Sequence, residues 1–99
     1  MAAYVLVNIE VHDPEKFAHY RAHAPALFER HGGRYLVRGG EVHRLEGDLG
    51  LKRLIIIEFP SMEAALRCVE SPEYAPLRRL RHESATADIA IVEGWTPPA

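Results

Sequence analysis

The chain has 99 residues, with 12 basic and 14 acidic side chains, a formal charge of −2 and a pI near 6.3. That length leaves room for one core and hence one domain, spanning 1–99. A near-neutral balance argues against nucleic acid as the main partner, where a basic face is expected. The single cysteine, Cys68, excludes an intrachain disulfide framework and reads as a small buried hydrophobe on a helix.

The N-terminus lacks the basic, apolar and small-residue succession of a secretory signal, and no apolar run is long enough to span a membrane. A cytoplasmic location is expected. A domain this small buries only roughly 60–65% of its unfolded surface, so self-association is a natural expectation.

Tyr4–Val11 reads as the first strand, with Val5, Val7, Ile9 and Val11 on one apolar face and Tyr4, Leu6, Asn8 and Glu10 on the other. Asp13 is placed to cap a helix that begins at Pro14, where the missing N–H costs nothing. Phe17, Tyr20, Ala24, Leu27 and Phe28 follow at helical spacing as one buried stripe, which Pro25 is expected to kink. Gly32-Gly33 closes the helix.

Arg34–Arg38 is the second strand, with a bulge expected at Gly39-Gly40 before Glu41–Leu45 continues outward. Glu46–Gly50 reads as a turn. Arg53–Phe59 is Ile-rich, as suits a central strand covered on both faces. Ser61 caps a helix that runs through Val69, Ser71-Pro72 starts another from Glu73 to about Ser84, and Ala87–Glu93 is the last strand. Trp95 and Pro97-Pro98 end the chain in an extended tail.

This order is two consecutive β-α-β units: an α+β, ferredoxin-like split β-α-β fold with a four-stranded antiparallel sheet. With helices on one face only, the other face is left bare. Because that face carries Tyr4, Leu6 and one side of the Ile-rich strand, it is an expected association surface. A homodimer through sheet faces is the simplest closed assembly.

The blocks Arg34-Tyr35-Leu36-Val37-Arg38-Gly39-Gly40, Leu45-Glu46-Gly47-Asp48, Arg53-Leu54-Ile55-Ile56-Ile57-Glu58-Phe59-Pro60-Ser61 and Ser71-Pro72-Glu73-Tyr74-Ala75-Pro76-Leu77-Arg78 together resemble the bacterial domain of unknown function 1330 family. That family lies in the dimeric α+β barrel superfamily. The resemblance implies a ferredoxin-like protomer whose sheet meets that of a second copy. The superfamily includes cofactor-free monooxygenases, haem-degrading enzymes, muconolactone isomerases and chlorite dismutases. Haem-degrading relatives use a strand Asn, a helix His and a nearby Trp. Here Asn8 is on a strand but the lone Trp95 lies beyond the last one, so haem is not expected, and neither is any other cofactor.

The chemical candidates are few. Arg38 and Glu58 are charges on strands with apolar neighbours, and such charges are paired, solvated or functional. Arg38 could hold a substrate carboxylate by a bidentate contact. Glu58, if desolvated, would suit proton transfer; otherwise it pairs with Arg53 or Arg38 at a sheet edge. Asn8 could point into a cavity or satisfy backbone near the strand end. Tyr20 and Tyr74 lie on apolar helical stripes with hydroxyls that need partners, as core residues or as proton donors.

His19 and His23 are four apart, but with no ligand set around them they read as a solvated helix face, and no metal is expected. Arg78-Arg79-Leu80-Arg81-His82 likewise reads as a solvated basic face. Together these features suggest a small-molecule pocket for an organic acid or carbonyl compound, in a cofactor-free isomerase, lyase or monooxygenase. The alternative is a non-catalytic metabolite-binding or assembly protein.

Overall fold

In the computed structural model, residues 1–98 are described. Seven elements follow in the order β1 (Ala3–Val11), α1 (Pro14–Arg30), β2 (Arg34–Arg38), β3 (Leu54–Phe59), α2 (Met62–Val69), α3 (Tyr74–Ser84) and β4 (Ala85–Glu93). The strands form one sheet in the order β2-β3-β1-β4, antiparallel throughout. This is the ferredoxin-like arrangement expected from the order of the elements.

The helix starts follow from local chemistry. Asp13 accepts a hydrogen bond from Lys16 N at 3.1 Å, and Ser61 one from Ala64 N at 3.1 Å, each satisfying an orphan N–H of the first turn. Between α2 and α3, Ser71 Oγ donates to Cys68 O at 2.7 Å and accepts from Tyr74 N at 3.2 Å. One hydroxyl thus ties the end of α2 to the start of α3 and fixes where Tyr74 enters. The first helix passes through Pro25 and ends at Arg30. Gly32, at φ +86°, turns the chain out of it. At the next position a Cβ would lie 2.8 Å from Phe59 Cζ and 2.9 Å from Phe28 O, so only glycine fits between α1 and β3.

The core lies between the sheet and the helices. Val5, Val7 and Ile9 of β1 and Ile57 and Phe59 of β3 meet Phe17, Ala24, Leu27 and Phe28 of α1, Ala65 and Cys68 of α2, and Tyr74 of α3. Cys68 is fully buried, and burial pushes its thiol up to about 11, which keeps it an unreactive packing group. Among the described residues no helix is long and apolar enough to cross a membrane.

Two local expectations are corrected. The bulge falls at Leu36, between the Tyr35–Ile57 and Val37–Ile56 pairs, not at Gly39-Gly40. The strand also stops at Arg38, and residues 39–53 form an irregular exposed loop instead of a continued strand at 41–45. Gly39, at φ +71°, turns the chain away after one last bond from its N–H to Leu54 O, and 41–45 find no partner strand to supply a ladder.

Candidate functional site

Beneath the helices the packing is incomplete. A cavity of about 210 Å³ lies on a floor of Val5, Val7, Ile9, Ile55, Ile57 and Ile91, with aromatic and cationic groups above. Its size exceeds the ~150 Å³ hole that admits a benzene ring, so a ring-sized molecule with a substituent fits. Unlike an apolar packing defect, it has a polar roof. Tyr20 of α1 and Tyr74 of α3 place their hydroxyls 2.8 Å apart. Arg81 Nε donates toward the Tyr74 oxygen at 3.4 Å. Arg78 holds its guanidinium against Val69 O and over the Tyr74 ring, with Cζ 5.5 Å from the ring centre.

The position of Arg81 decides the chemistry of this roof. Its side chain belongs to a residue only 7% exposed. Among the described residues the ion pairs join Lys16 to Glu83, Arg30 to Glu73 and Arg34 to Glu58, and none reaches Arg78 or Arg81. A buried cation with no carboxylate carries a desolvation cost that ordinary packing does not return. The Arg81 N–H and the two phenol O–H groups converge here around the phenol oxygens, and no buried side-chain nitrogen or oxygen among the described residues is left without a partner.

Burial pushes the Tyr20 hydroxyl far above the usual phenol range, reinforced by the adjacent Tyr74. Tyr20 therefore stays protonated and acts as a donor. Among the described residues no Asp, Glu or His lines the cavity. The roof thus presents hydrogen-bond donors and a positive charge, and among the described residues no carboxylate or imidazole lines it to abstract a proton.

The candidates read from the sequence divide between the two sides of the sheet. Tyr20 and Tyr74, 54 positions apart, meet in the cavity. Arg38 is on the same side, its Cζ 4.6 Å from the centre of the Tyr35 ring, in a smaller recess that shares Tyr20, Tyr35 and Ile55 with the cavity. Glu58 and Asn8 lie on the opposite face. Glu58 is paired across the ladder with Tyr4 and Arg34, and its carboxylate accepts from Arg34 Nε at 2.7 Å. Its partner is therefore Arg34, neither Arg53 nor Arg38. Asn8 donates to Gly50 O at 3.0 Å and accepts from Lys52 N at 2.8 Å, fastening the end of the 39–53 loop.

The basic run on α3 is the main correction. Arg79 and His82 are exposed, but Arg81 is buried and Arg78 lines the cavity, so the run is not a uniformly solvated face. The spacing of Tyr74, Leu77, Arg81 and Ser84 is a helical stripe, which is the signal that marks Arg81 as inward-facing.

Residues 2–95 match a family model described as Domain of unknown function (DUF1330). The chain belongs to that family. No curated protein matches. Among solved structures, this DUF1330 chain is similar to RPA0582, a protein of unknown function from Rhodopseudomonas palustris. The identity is 19% and the TM-score 0.76, over 97% of this chain and 84% of that one. It is also similar to SnoaB, a cofactor-independent oxygenase from Streptomyces nogalater, at 16% identity and TM-score 0.59, over 97% and 94% of the two chains. A mutant form of SnoaB aligns at 19% identity and TM-score 0.67, with the same coverage. At these identities the likeness establishes the shared fold.

Proposed function

We propose that this DUF1330 protein binds a ring-sized organic acid, phenol or enol between its sheet and helices, and promotes cofactor-independent chemistry on it. The observation that carries this reading is the buried Arg81 guanidinium, without a carboxylate, beside the paired Tyr20 and Tyr74 hydroxyls in a cavity with an apolar floor. A ligand's apolar body lies on Val5, Val7 and Ile57. Its oxygen takes hydrogen bonds from Arg81 and a tyrosine, which stabilises the anion in a low-dielectric setting.

An enolate or phenolate held this way is electron-rich at carbon. Reprotonation at another carbon gives isomerisation, and attack on dioxygen gives oxygenation; the second accords with the oxygenase among its fold relatives. Because the cavity has no carboxylate or imidazole base, the reading favours substrates whose O–H or C–H is already acidic. The substrate gives up that proton to water, and Tyr20, which keeps its own proton, and Tyr74 donate hydrogen bonds to the resulting oxygen anion.

The outer sheet face supports a second element of the reading, a homodimer. Tyr4, Leu6, Leu54 and Ile56 are half-buried there, while Leu36 and Val92 are 47% and 48% exposed. No helix among the described residues covers this face, and a second sheet would.

Isothermal titration with 3-phenylpropanoate and its neutral amide tests the pocket. The acid is expected to bind at least tenfold more tightly, and Arg81→Met to remove the difference. Equal affinity of acid and amide would refute it. Oxygen uptake with a panel of phenols and 1,3-diketones then separates catalysis from binding alone: no turnover of any bound compound would favour the metabolite-binding alternative.

A further inference from the structure

Beside the cavity, on the far side of the Tyr20 and Tyr35 rings, the recess of about 30 Å³ is lined by three arginines, Arg21, Arg38 and Arg53. We infer that this recess is a second anion subsite, so that the ligand carries two acidic groups, one at Arg81 and one here. The inference rests on the reading of the main cavity as a ligand pocket and narrows its substrate class to dianions with a ring-sized apolar middle.

Each of the three arginines lies against a neighbouring group, although Arg21 and Arg38 are exposed to solvent. Arg21 stands over Phe17 with Cζ 5.4 Å from the ring centre, and Arg38 over Tyr35 at 4.6 Å. Stacking on an aromatic face fixes a guanidinium while leaving its N–H edge free for an incoming anion. Arg53 is placed by its contact with Gly39. A Cβ at that position would lie 2.7 Å from Arg53 Cζ and 2.8 Å from its Nε, so the glycine leaves the space the guanidinium occupies. Gly39 also has φ +71°, and two separate constraints therefore meet at one residue.

Charge supplies the second part of the case. The protein is net acidic, with 14 acidic against 12 basic residues. Yet none of its ion pairs among the described residues involves Arg21, Arg38 or Arg53, and no Asp or Glu among them lines the recess. Arg21 and Arg38 are exposed and Arg53 is half-buried, so water screens their mutual repulsion, and the cluster is a solvent-accessible patch of positive charge that attracts an anion. The recess has room for about two waters, enough for a carboxylate but not for a second ring. Tyr20, Tyr35 and Ile55 border both spaces, so the two lie side by side with these residues between them, and a ligand that reaches both must pass the edge of the Tyr20 and Tyr35 rings.

Titration of 3-phenylpropanoate against 3-(4-carboxyphenyl)propanoate tests the subsite. The diacid is expected to bind at least tenfold more tightly than the monoacid. The double variant Arg38→Gln/Arg53→Gln is expected to bring that ratio near one while changing monoacid affinity less than threefold. Arg79→Gln, an exposed arginine on α3 outside both spaces, removes one charge and should leave the ratio intact. Equal binding of the two acids, or a ratio that survives the double variant, would overturn the subsite while the main pocket stands. Failure of both acids to bind would overturn the pocket and the subsite together.

Discussion

The two faces of the sheet treat polar side chains in opposite ways. On the outer face Glu58 holds Arg34, and Asn8 holds the backbone of Gly50 and Lys52. On the inner face Arg81 is buried without a carboxylate and the two tyrosine hydroxyls bond chiefly to each other. The outer groups serve structure, and a sheet built this way can pack against a second one. The inner groups line a cavity and include a cation with no carboxylate partner, the contrast on which the proposed ligand site rests.

The proposed dimer is the most abrupt way to break that comparison. Ile56 sits in the middle of the outer face, opposite Leu6 on one side and Val37 on the other. Ile56→Asp would place an unpaired charge at the centre of a sheet-to-sheet contact, at a cost of about 3–5 kcal/mol. Sedimentation should then show a monomer whose ligand affinity is unchanged. A variant that stays dimeric would remove the sheet face from the interface.

Arg81→Met inverts the usual consequence of a core substitution. Taking a lone guanidinium out of the core should stabilise the protein, on the order of 1–3 kcal/mol, while ligand affinity falls about tenfold to a hundredfold. Thermal unfolding and titration on the same sample check both signs. A destabilised variant would mean that the Arg81 contact to Tyr74 outweighs the desolvation of its charge.

Alkaline pH separates the inner face from the outer one through titration. Burial raises Tyr20, Tyr35 and Cys68 above their unfolded values. Unfolded, these groups release protons that the folded state retains, so each contributes stability that is fully present below its unfolded pKa and lost as pH rises. Cys68 acts first, between its ordinary 9.0 and about 11, with a loss of roughly 2–3 kcal/mol. Denaturant midpoints should decline from about pH 9, and Cys68→Ala should delay the decline until the tyrosines titrate. A profile that stays flat to about pH 11 would contradict the burial of all three.

Much of the fold is legible because its signals are local. Asp13-Pro14, Ser61 and Ser71-Pro72 mark helix starts within a few residues of the chain, and the alternation of Val5, Val7 and Ile9 marks the buried face directly. The loop after β2 escapes such reading because Val42 and Leu45 look like strand residues, while pairing depends on a neighbour the local sequence does not reveal. The site is half legible. Tyr20 and Tyr74 each fall on an apolar stripe, but their meeting depends on how α1 packs on α3. Arg81 is hidden by composition: in a run of three arginines and a histidine, charge suggests solvent, whereas the helical register turns one of them inward.

Glu58→Gln is the smallest expected effect and the sharpest test of which face carries function. Its partner Arg34 is 72% exposed while the Glu58 side chain is 24% exposed, so solvent screens much of the pair. Losing one charge of such a pair should cost less than about 1 kcal/mol, since glutamine still accepts from Arg34. The side chain lies on the far side of the sheet from the cavity, with the β3 backbone between them. Ligand affinity should therefore move less than about twofold. A loss of about tenfold would draw Glu58 into the chemistry, and the active region would then have to lie inside the dimer, between two sheets, instead of beneath the helices of one protomer.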